Sequence, residues 1–420
     1  MNQQKDILVI GGGVIGVAVA YYLAVQGRSV TLIEKDEICA GSSHGNAGLI
    51  ANGFAIPMAA PGVLRQGLKW LLDAESPFYI KPRLNVDLMR WLWQFRGACN
   101  EKQMRQSIAI LLSLGGASFD LFDELLANED IEFGYEHKGR LILFTNEAAF
   151  EKSIPDTVLL REYGVDSTLL DAAGVREIEP NVQPAVTHGI YAADYGHIIP
   201  DRFVHELARV AKERGVVFKT DTAVLGFETS GRQISSVITP HGTFTPDQVV
   251  LAAGAWSPML ARNLKLRLPI QPAKGYSVTY KRPAGSLPTS PSLPLSLSER
   301  KIAVTPMGDM LRFTSTLELA GYDPAINQRR VAAIRRNIQD YLPGMEDLEE
   351  TAVWSGYRPA TPDDLPIIGR SQAFENLILA TGHGTFGMTH GLITGKLVAQ
   401  IVGDKRPSID LAPLSVERFY

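Results

Sequence analysis

Two cysteines in 420 residues, Cys39 and Cys99, have neither a C-x-x-C spacing nor a histidine cluster beside them. A zinc centre or a disulfide framework is therefore not expected, and a reducing compartment is the expectation. A charge excess is missing too. The 41 Lys and Arg stand against 45 Asp and Glu, a net charge of −4. Nucleic-acid binding needs a strong basic surplus, so nucleic acid is not expected as a partner. No stretch approaches the roughly 20 apolar residues of a membrane span. The opening residues lack the pattern of a secretory leader, because the short apolar run Ile7–Ile10 goes straight into glycines. A cytoplasmic protein is expected, with a peripheral position on the inner face of the cell membrane as the alternative. Missing as well are paired catalytic carboxylates, a Ser/His/Asp set and a metal-ligand cluster.

What is present begins at that apolar run. Ile7–Ile10 reads as a buried parallel strand. Gly11-Gly12-Gly13-Val14-Ile15-Gly16 follows, a G-x-G-x-x-G motif. Val14 to Gln26 reads as a helix with Ala18, Ala20 and Leu23 available for packing. Gly27 ends it, Ser29–Ile33 is the second strand, and Glu34 closes that strand. Gly11 permits the tight turn, Gly13 lets a pyrophosphate approach the backbone, and Gly16 lets helix and sheet touch. The helix N-terminus offers free N–H groups to phosphate. Glu34 can accept hydrogen bonds from ribose hydroxyls. Strand, motif, helix and acid together predict a dinucleotide site.

Downstream signals favour FAD over NAD. Ala40-Gly41-Ser42-Ser43-His44-Gly45-Asn46-Ala47-Gly48 is a small-residue loop that can lie against a flat ring and phosphates. Val249–Ser257 is a buried strand ending in the small residues Ala253 and Gly254, followed by Trp256. Asn376–Gly384 is another strand running into glycines, then a helix from Met388 to Val402. That helix N-terminus can stabilise a reduced, anionic ring.

In this order and spacing, these segments resemble the FAD-dependent amino-acid oxidoreductases of the D-amino-acid oxidase and glycine oxidase group. Tyr357-Arg358-Pro359-Ala360-Thr361-Pro362-Asp363 and Thr381-Gly382-His383-Gly384-Thr385-Phe386-Gly387 complete the likeness. It is strongest to bacterial D-amino-acid dehydrogenases, including those acting on D-proline and hydroxy-D-proline. The resemblance implies an α/β fold, with a Rossmann-type FAD-binding domain interleaved with a mixed α+β substrate-binding domain. The first is expected at 1–83, about 150–261 and 340–420, the second at 84–149 and about 262–339. Helices are expected near 84–130, strands at 139–144 and 262–325, and a surface loop at 283–294. Val216–Phe218 and Thr220–Phe227 are expected near adenine.

The implied cofactor residues are Gly11, Gly13, Val14, Ile15, Gly16, Glu34 and Lys35, then Ser42, Ser43, His44, Asn46, Ala47, Gly48 and Leu49. Val224, Ala253, Gly254 and Trp256 follow, and finally Gly382, Gly384, Thr385, Phe386, Gly387, Met388 and Thr389. Some relatives attach flavin through a histidine beside the Gly41-Ser42-Ser43 loop. Here His44 falls one position early and Gly45 stands in its place, so non-covalent FAD is expected, with His44 facing the ring or just behind it.

Arg358 is the candidate for gripping a substrate carboxylate. It sits between Gly356-Tyr357 and Pro359 on what reads as a short, stiff loop, and a guanidinium fork binds carboxylate bidentately. The alternative is an ion pair with Asp363 or Asp364. Tyr276 lies in an alternating segment and is either an active-site or a core tyrosine. His383 is a flavin or substrate contact, while His197 reads as exposed or structural. No metal is expected.

The function implied is oxidation of small D-amino acids by hydride transfer from Cα to flavin N5. Electrons would pass to a quinone or another carrier. Two alternatives stand beside it, an oxygen-using glycine or sarcosine oxidase and a non-catalytic FAD-binding subunit. Trp70, Trp91 and Trp93, with Arg90 and Arg96, either anchor a helix at a membrane surface or pack in the core.

Overall fold

The run Ile7–Ile10 is buried on both faces and lies inside a six-stranded sheet. The computed structural model describes residues 6–51, 56–65, 67, 78–282 and 290–420. Trp70 and its neighbours 69–72 lie outside these residues, as does 283–289 of the expected surface loop.

The order in this sheet is Ile367–Arg370, Leu377–Thr381, Gln248–Leu251, Asp6–Ile10, Ser29–Ile33 and Val217–Lys219. Neighbours are parallel except the outer pair Ile367–Arg370 and Leu377–Thr381. Register sets Ile10 beside Ile33 and Leu251, and Leu251 beside Leu379. The turns after these strands therefore meet at one sheet edge, though they come from remote parts of the chain. Carboxyl ends of parallel strands are where such sheets place ligands.

Two helices cover one face of this sheet, Val14–Val25 and Gly387–Val402. Both are apolar nearly all round, as core helices must be. Small residues bring them together. A side-chain carbon at Gly395 would stand 2.5 Å from the Ala18 carbonyl, and one at Gly391 would stand 2.9 Å from Val14. This packing makes their N-termini open into the same space.

The second large sheet has nine strands. Glu350–Ala360 lies at its edge, followed by Gln271–Lys281, Met310–Leu319, Ile302–Met307, Leu295–Leu297, Arg140–Phe144, His188–Ala192 and Thr168–Asp171. Phe78–Ile80 pairs with Met310–Leu319. The strands Thr168–Asp171, His188–Ala192 and Glu350–Ala360 fall in segments expected to belong with the FAD-binding part, and they pair into this sheet. Short alternating strands do not declare their partners, and only pairing settles which sheet they enter.

The expected helical stretch is present as Val86–Ala98 and Glu101–Asn128, capped by Asn85 and Asn100. Its tryptophans divide. Trp91 is 2% exposed and donates its indole N–H to the Ala360 carbonyl at 3.0 Å, whereas Trp93 is 73% exposed.

Candidate active site

A cavity of about 1040 Å³ runs from the edge of the first sheet to the face of the second. Typical small-ligand cavities span about 300–1,000 Å³, so this one suits a large, extended molecule.

The first end is built locally. Gly11 has φ +118°, and a side-chain carbon there would lie 2.5 Å from the Ala252 carbonyl. One at Gly16 would collide with the Gly11 carbonyl. Glycine at both positions lets the turn fold under the helix. Glu34 accepts from the Gly12 N–H at 2.6 Å and from the Asp36 N–H at 3.1 Å. Its carboxylate is thus fixed at the cavity wall with lone pairs to spare. Ser43 Oγ accepts from the Val14 N–H at 3.0 Å, tying the Gly41–Gly45 turn to the helix start.

Neither helix that opens into the cavity has an acidic residue in its first turn, and the Gly387 helix has no side-chain cap. The converging positive dipole ends remain uncompensated and favour a bound anion. Cradle, carboxylate and helix ends together fit an FAD.

Most cofactor candidates line this cavity: Gly11, Gly13, Val14, Ile15, Glu34, Lys35, Ser42, Ser43, Asn46, Ala47, Leu49, Val224, Ala253, Gly254, Trp256, Gly384, Thr385, Phe386, Gly387, Met388 and Thr389. Four do not. Gly16 serves helix–sheet contact. Gly48 is glycine because a side chain would strike the Ile198 carbonyl, and Gly382 because one would stand 2.8 Å from Thr361. His44 is exposed, with its ring tilted beside Trp354 at 6.4 Å and its carbonyl accepting from Arg312. The turn presents Ser43 and Gly45 inward and so directs His44 outward.

The other end is assembled from strands. Arg358 lies not on a loop but at the end of the strand Glu350–Ala360. An edge strand tolerates Pro359, which has no N–H to donate. Opposite, Lys274 pairs with Glu318 while Tyr276 pairs with Ser315, so Thr316 and Leu317 bulge against Gly275. Bulges re-aim backbone groups. Thr316, at φ +73°, turns its carbonyl to accept from Arg358 Nη1 at 2.9 Å. The guanidinium passes over Gly275, where any side chain would collide with it.

No carboxylate pairs with Arg358 among the described residues. Asp363 is held by Arg418 at 2.8 and 3.1 Å, and Asp364 accepts from the Met58 N–H. Burial lowers the Arg358 pKa to about 10, which leaves it cationic at neutral pH. Burial raises the Asp364 carboxyl to about 6. A smaller lobe of about 370 Å³ adjoins here, lined by Arg358, Asp364 and Lys301 among apolar residues such as Ile56, Met58 and Leu317.

Tyr276 borders the cavity, but it is a core residue whose hydroxyl donates to Glu318 at 2.9 Å. Arg330 lies 3.6 Å from the same carboxylate and Lys274 4.0 Å. All ten residues of Gln271–Tyr280 are buried, so alternation could not tell the cavity face from the core face. His383 is 2% exposed and lines the cavity, with Nε2 2.9 Å from Thr394 Oγ1. Burial, aided by His390, lowers its pKa to about 3, so it is a neutral imidazole. His197 is buried in the short strand Tyr195–His197. Sequence reasoning missed Gly275, Thr316 and Lys301. The positive φ of Thr316 and Lys301 is visible only in the backbone.

The model of the FAD dependent oxidoreductase family matches residues 6–401. A D-amino acid dehydrogenase of Granulibacter bethesdensis is 35% identical over 98% of this chain and 99% of its own. One of Vibrio atlanticus is 33% identical over 99% of this chain and all of its own. The crystal structure of glycine oxidase from Geobacillus kaustophilus superimposes with a TM-score of 0.78 at 25% identity, covering 98% of both chains. The six-stranded sheet is thus the Rossmann-type nucleotide-binding fold of these flavoproteins. The chain belongs to the family of FAD dependent oxidoreductases, and FAD is its cofactor.

Proposed function

We propose that this enzyme is a dehydrogenase of small D-amino acids that holds FAD without a covalent bond. The observation that carries the substrate reading is Arg358, a cation with no carboxylate partner among the described residues, lining the same cavity as the FAD cradle. The D configuration enters from the names of the relatives. Gly11, Gly13 and the Val14 helix would take the pyrophosphate, Glu34 the ribose, and the Gly387 helix the ring. The six-stranded sheet then serves the nucleotide and the nine-stranded sheet the substrate. The outward His44 supports a non-covalent cofactor.

FAD, when bound, supplies the two-electron acceptor. The chain's own residues supply orientation. Arg358 takes the α-carboxylate in two parallel hydrogen bonds, and its bond to the Thr316 carbonyl keeps the fork in place. Apolar walls at Ile56, Met58 and Leu317 exclude water and favour the neutral amine over the ammonium. His383, being neutral, adds no competing charge.

D-proline and hydroxy-D-proline remain the candidate substrates, and a quinone or another carrier the candidate acceptor. Among the described residues no helix is long and apolar enough to cross a membrane. Peripheral contact is favoured by one feature, the exposed Val86, Met89 and Trp93 on one face of a helix that also carries Arg90.

Steady-state assays with D- and L-amino acids, glycine and sarcosine, using a quinone, a dye or air as acceptor, test this reading. D-amino acid turnover with quinone or dye and little with air is expected. Rapid peroxide formation with glycine or sarcosine would move the enzyme to the oxidases. No turnover of any amine would contradict it.

A further inference from the structure

The smaller lobe beside Arg358 holds a second cation that the reading above leaves unused. Lys301 lines both this lobe and the main cavity and is exposed; its hydrogen bonds use its backbone, and its ammonium has no hydrogen bond or ion pair within 4 Å among the described residues. The charged groups around it are Asp156, Glu299, Lys152 and Arg140. Glu299 is already engaged, accepting from the Thr145 and Asn146 N–H groups and from the Tyr341 hydroxyl.

The backbone at Lys301 adds a second observation. It closes the turn between Leu295–Leu297 and Ile302–Met307 at φ +52°. Glycine or asparagine adopts that conformation more readily than lysine. The turn is pinned from both sides, by Lys301 N–H to the Ser298 carbonyl at 3.3 Å and by Ser315 Oγ to the Lys301 carbonyl at 3.1 Å. Lys301 thus stands accessible in a left-handed turn, with Asp156 the leading opposite charge acting on it but no ion pair within 4 Å among the described residues, so its ammonium can take a further acceptor.

We propose that Lys301 reads the substrate side chain, donating to an oxygen carried beyond Cβ, so that the enzyme selects amino acids with a hydroxyl or carboxylate there. The proposal rests on Arg358 holding the α-carboxylate, which places the rest of the substrate in the lobe that Lys301 borders. Apart from Arg358, which holds the α-carboxylate, the lobe offers such an oxygen only the Lys301 ammonium and the Thr385 hydroxyl as basic or hydroxyl donors, and of these only Lys301 is charged. An oxygen-bearing substrate gives the ammonium an acceptor, while an aliphatic one gives it none.

The test measures binding of butanoate, 3-hydroxybutanoate and succinate to the FAD-loaded enzyme through perturbation of its visible spectrum. Wild type, Lys301→Met and Lys301→Asn are compared, the last because asparagine suits the left-handed turn and separates backbone strain from loss of the ammonium. Wild type is expected to bind one or both oxygen-bearing ligands about tenfold more tightly than butanoate, the scale of one charged hydrogen bond. The 3-hydroxybutanoate and succinate arms separate hydroxyl from carboxylate recognition. Both variants should lose the preference, and the ratio of kcat/KM for D-serine or D-aspartate to that for D-alanine should fall with it. A preference that is absent in wild type, or that survives in both variants, overturns the role of Lys301. If none of the three carboxylates binds wild type, the Arg358 reading itself fails and this proposal falls with it.

Discussion

At one end of the cavity, Gly11, Gly13, Val14 and Glu34 come from a single strand–helix–strand unit, and their geometry follows from local sequence. At the other, Arg358, Gly275, Thr316 and Lys301 come from different strands or their turns and meet only through register. The first end is set by close backbone approach, where one extra carbon collides with a carbonyl. The second is set by a bulge and a missing side chain, which aim a guanidinium. Damage to the first should empty the enzyme of cofactor, and damage to the second should leave a loaded but inefficient enzyme.

The largest separation is expected from Gly16→Val. The added side chain strikes the Gly11 carbonyl, overpacking of this kind costs about 1–3 kcal/mol, and the cradle cannot relax without opening. Purified protein should carry little FAD by absorbance and melt at lower temperature. Arg358→Met should do the opposite, keeping a full FAD complement while kcat/KM falls by on the order of 10² to 10³, the consequence of deleting one partner of a desolvated charged contact. Gly275→Ala should be milder. It displaces the Arg358 fork without removing it, and KM should rise about tenfold with FAD content unchanged, roughly one misaligned charged hydrogen bond.

A smaller effect is expected at Asp364. Burial raises its pKa from 3.8 to about 6, so the folded chain holds this proton more tightly than the unfolded one. Its contribution to stability is therefore greatest below the unfolded value and declines as pH rises through that window. Relative to wild type, Asp364→Asn should gain melting temperature at pH 7 compared with pH 4. The smallest effect belongs to His44→Ala, which should leave FAD content and spectrum unchanged, with acid precipitation releasing the flavin from both proteins. Flavin retained by denatured wild type would contradict the non-covalent reading.

The same contrast explains what the sequence made legible. The glycine motif, Glu34 and the two strands running into small residues were readable because each acts through neighbours in sequence. The outward direction of His44 was not readable, because one residue of a tight turn faces out while those beside it face in. Tyr276 was ambiguous because its strand is buried on both faces, and a period of two cannot say which face meets the cavity. Arg358 was expected on a loop but stands at a strand end, since Pro359 is tolerated at a sheet edge. Gly275 and Lys301 carried no signal, because one works by an absent side chain opposite Arg358 and the other by a turn conformation unusual for lysine.

The most direct measurement is anaerobic: the absorbance of the enzyme-bound FAD on addition of single D- and L-amino acids. Bleaching by D-amino acids, abolished or slowed at least about a hundredfold in Arg358→Met at the same substrate concentration, is the predicted result. Flavin that stays oxidised with every amino acid, or that bleaches equally well in Arg358→Met, would contradict the account.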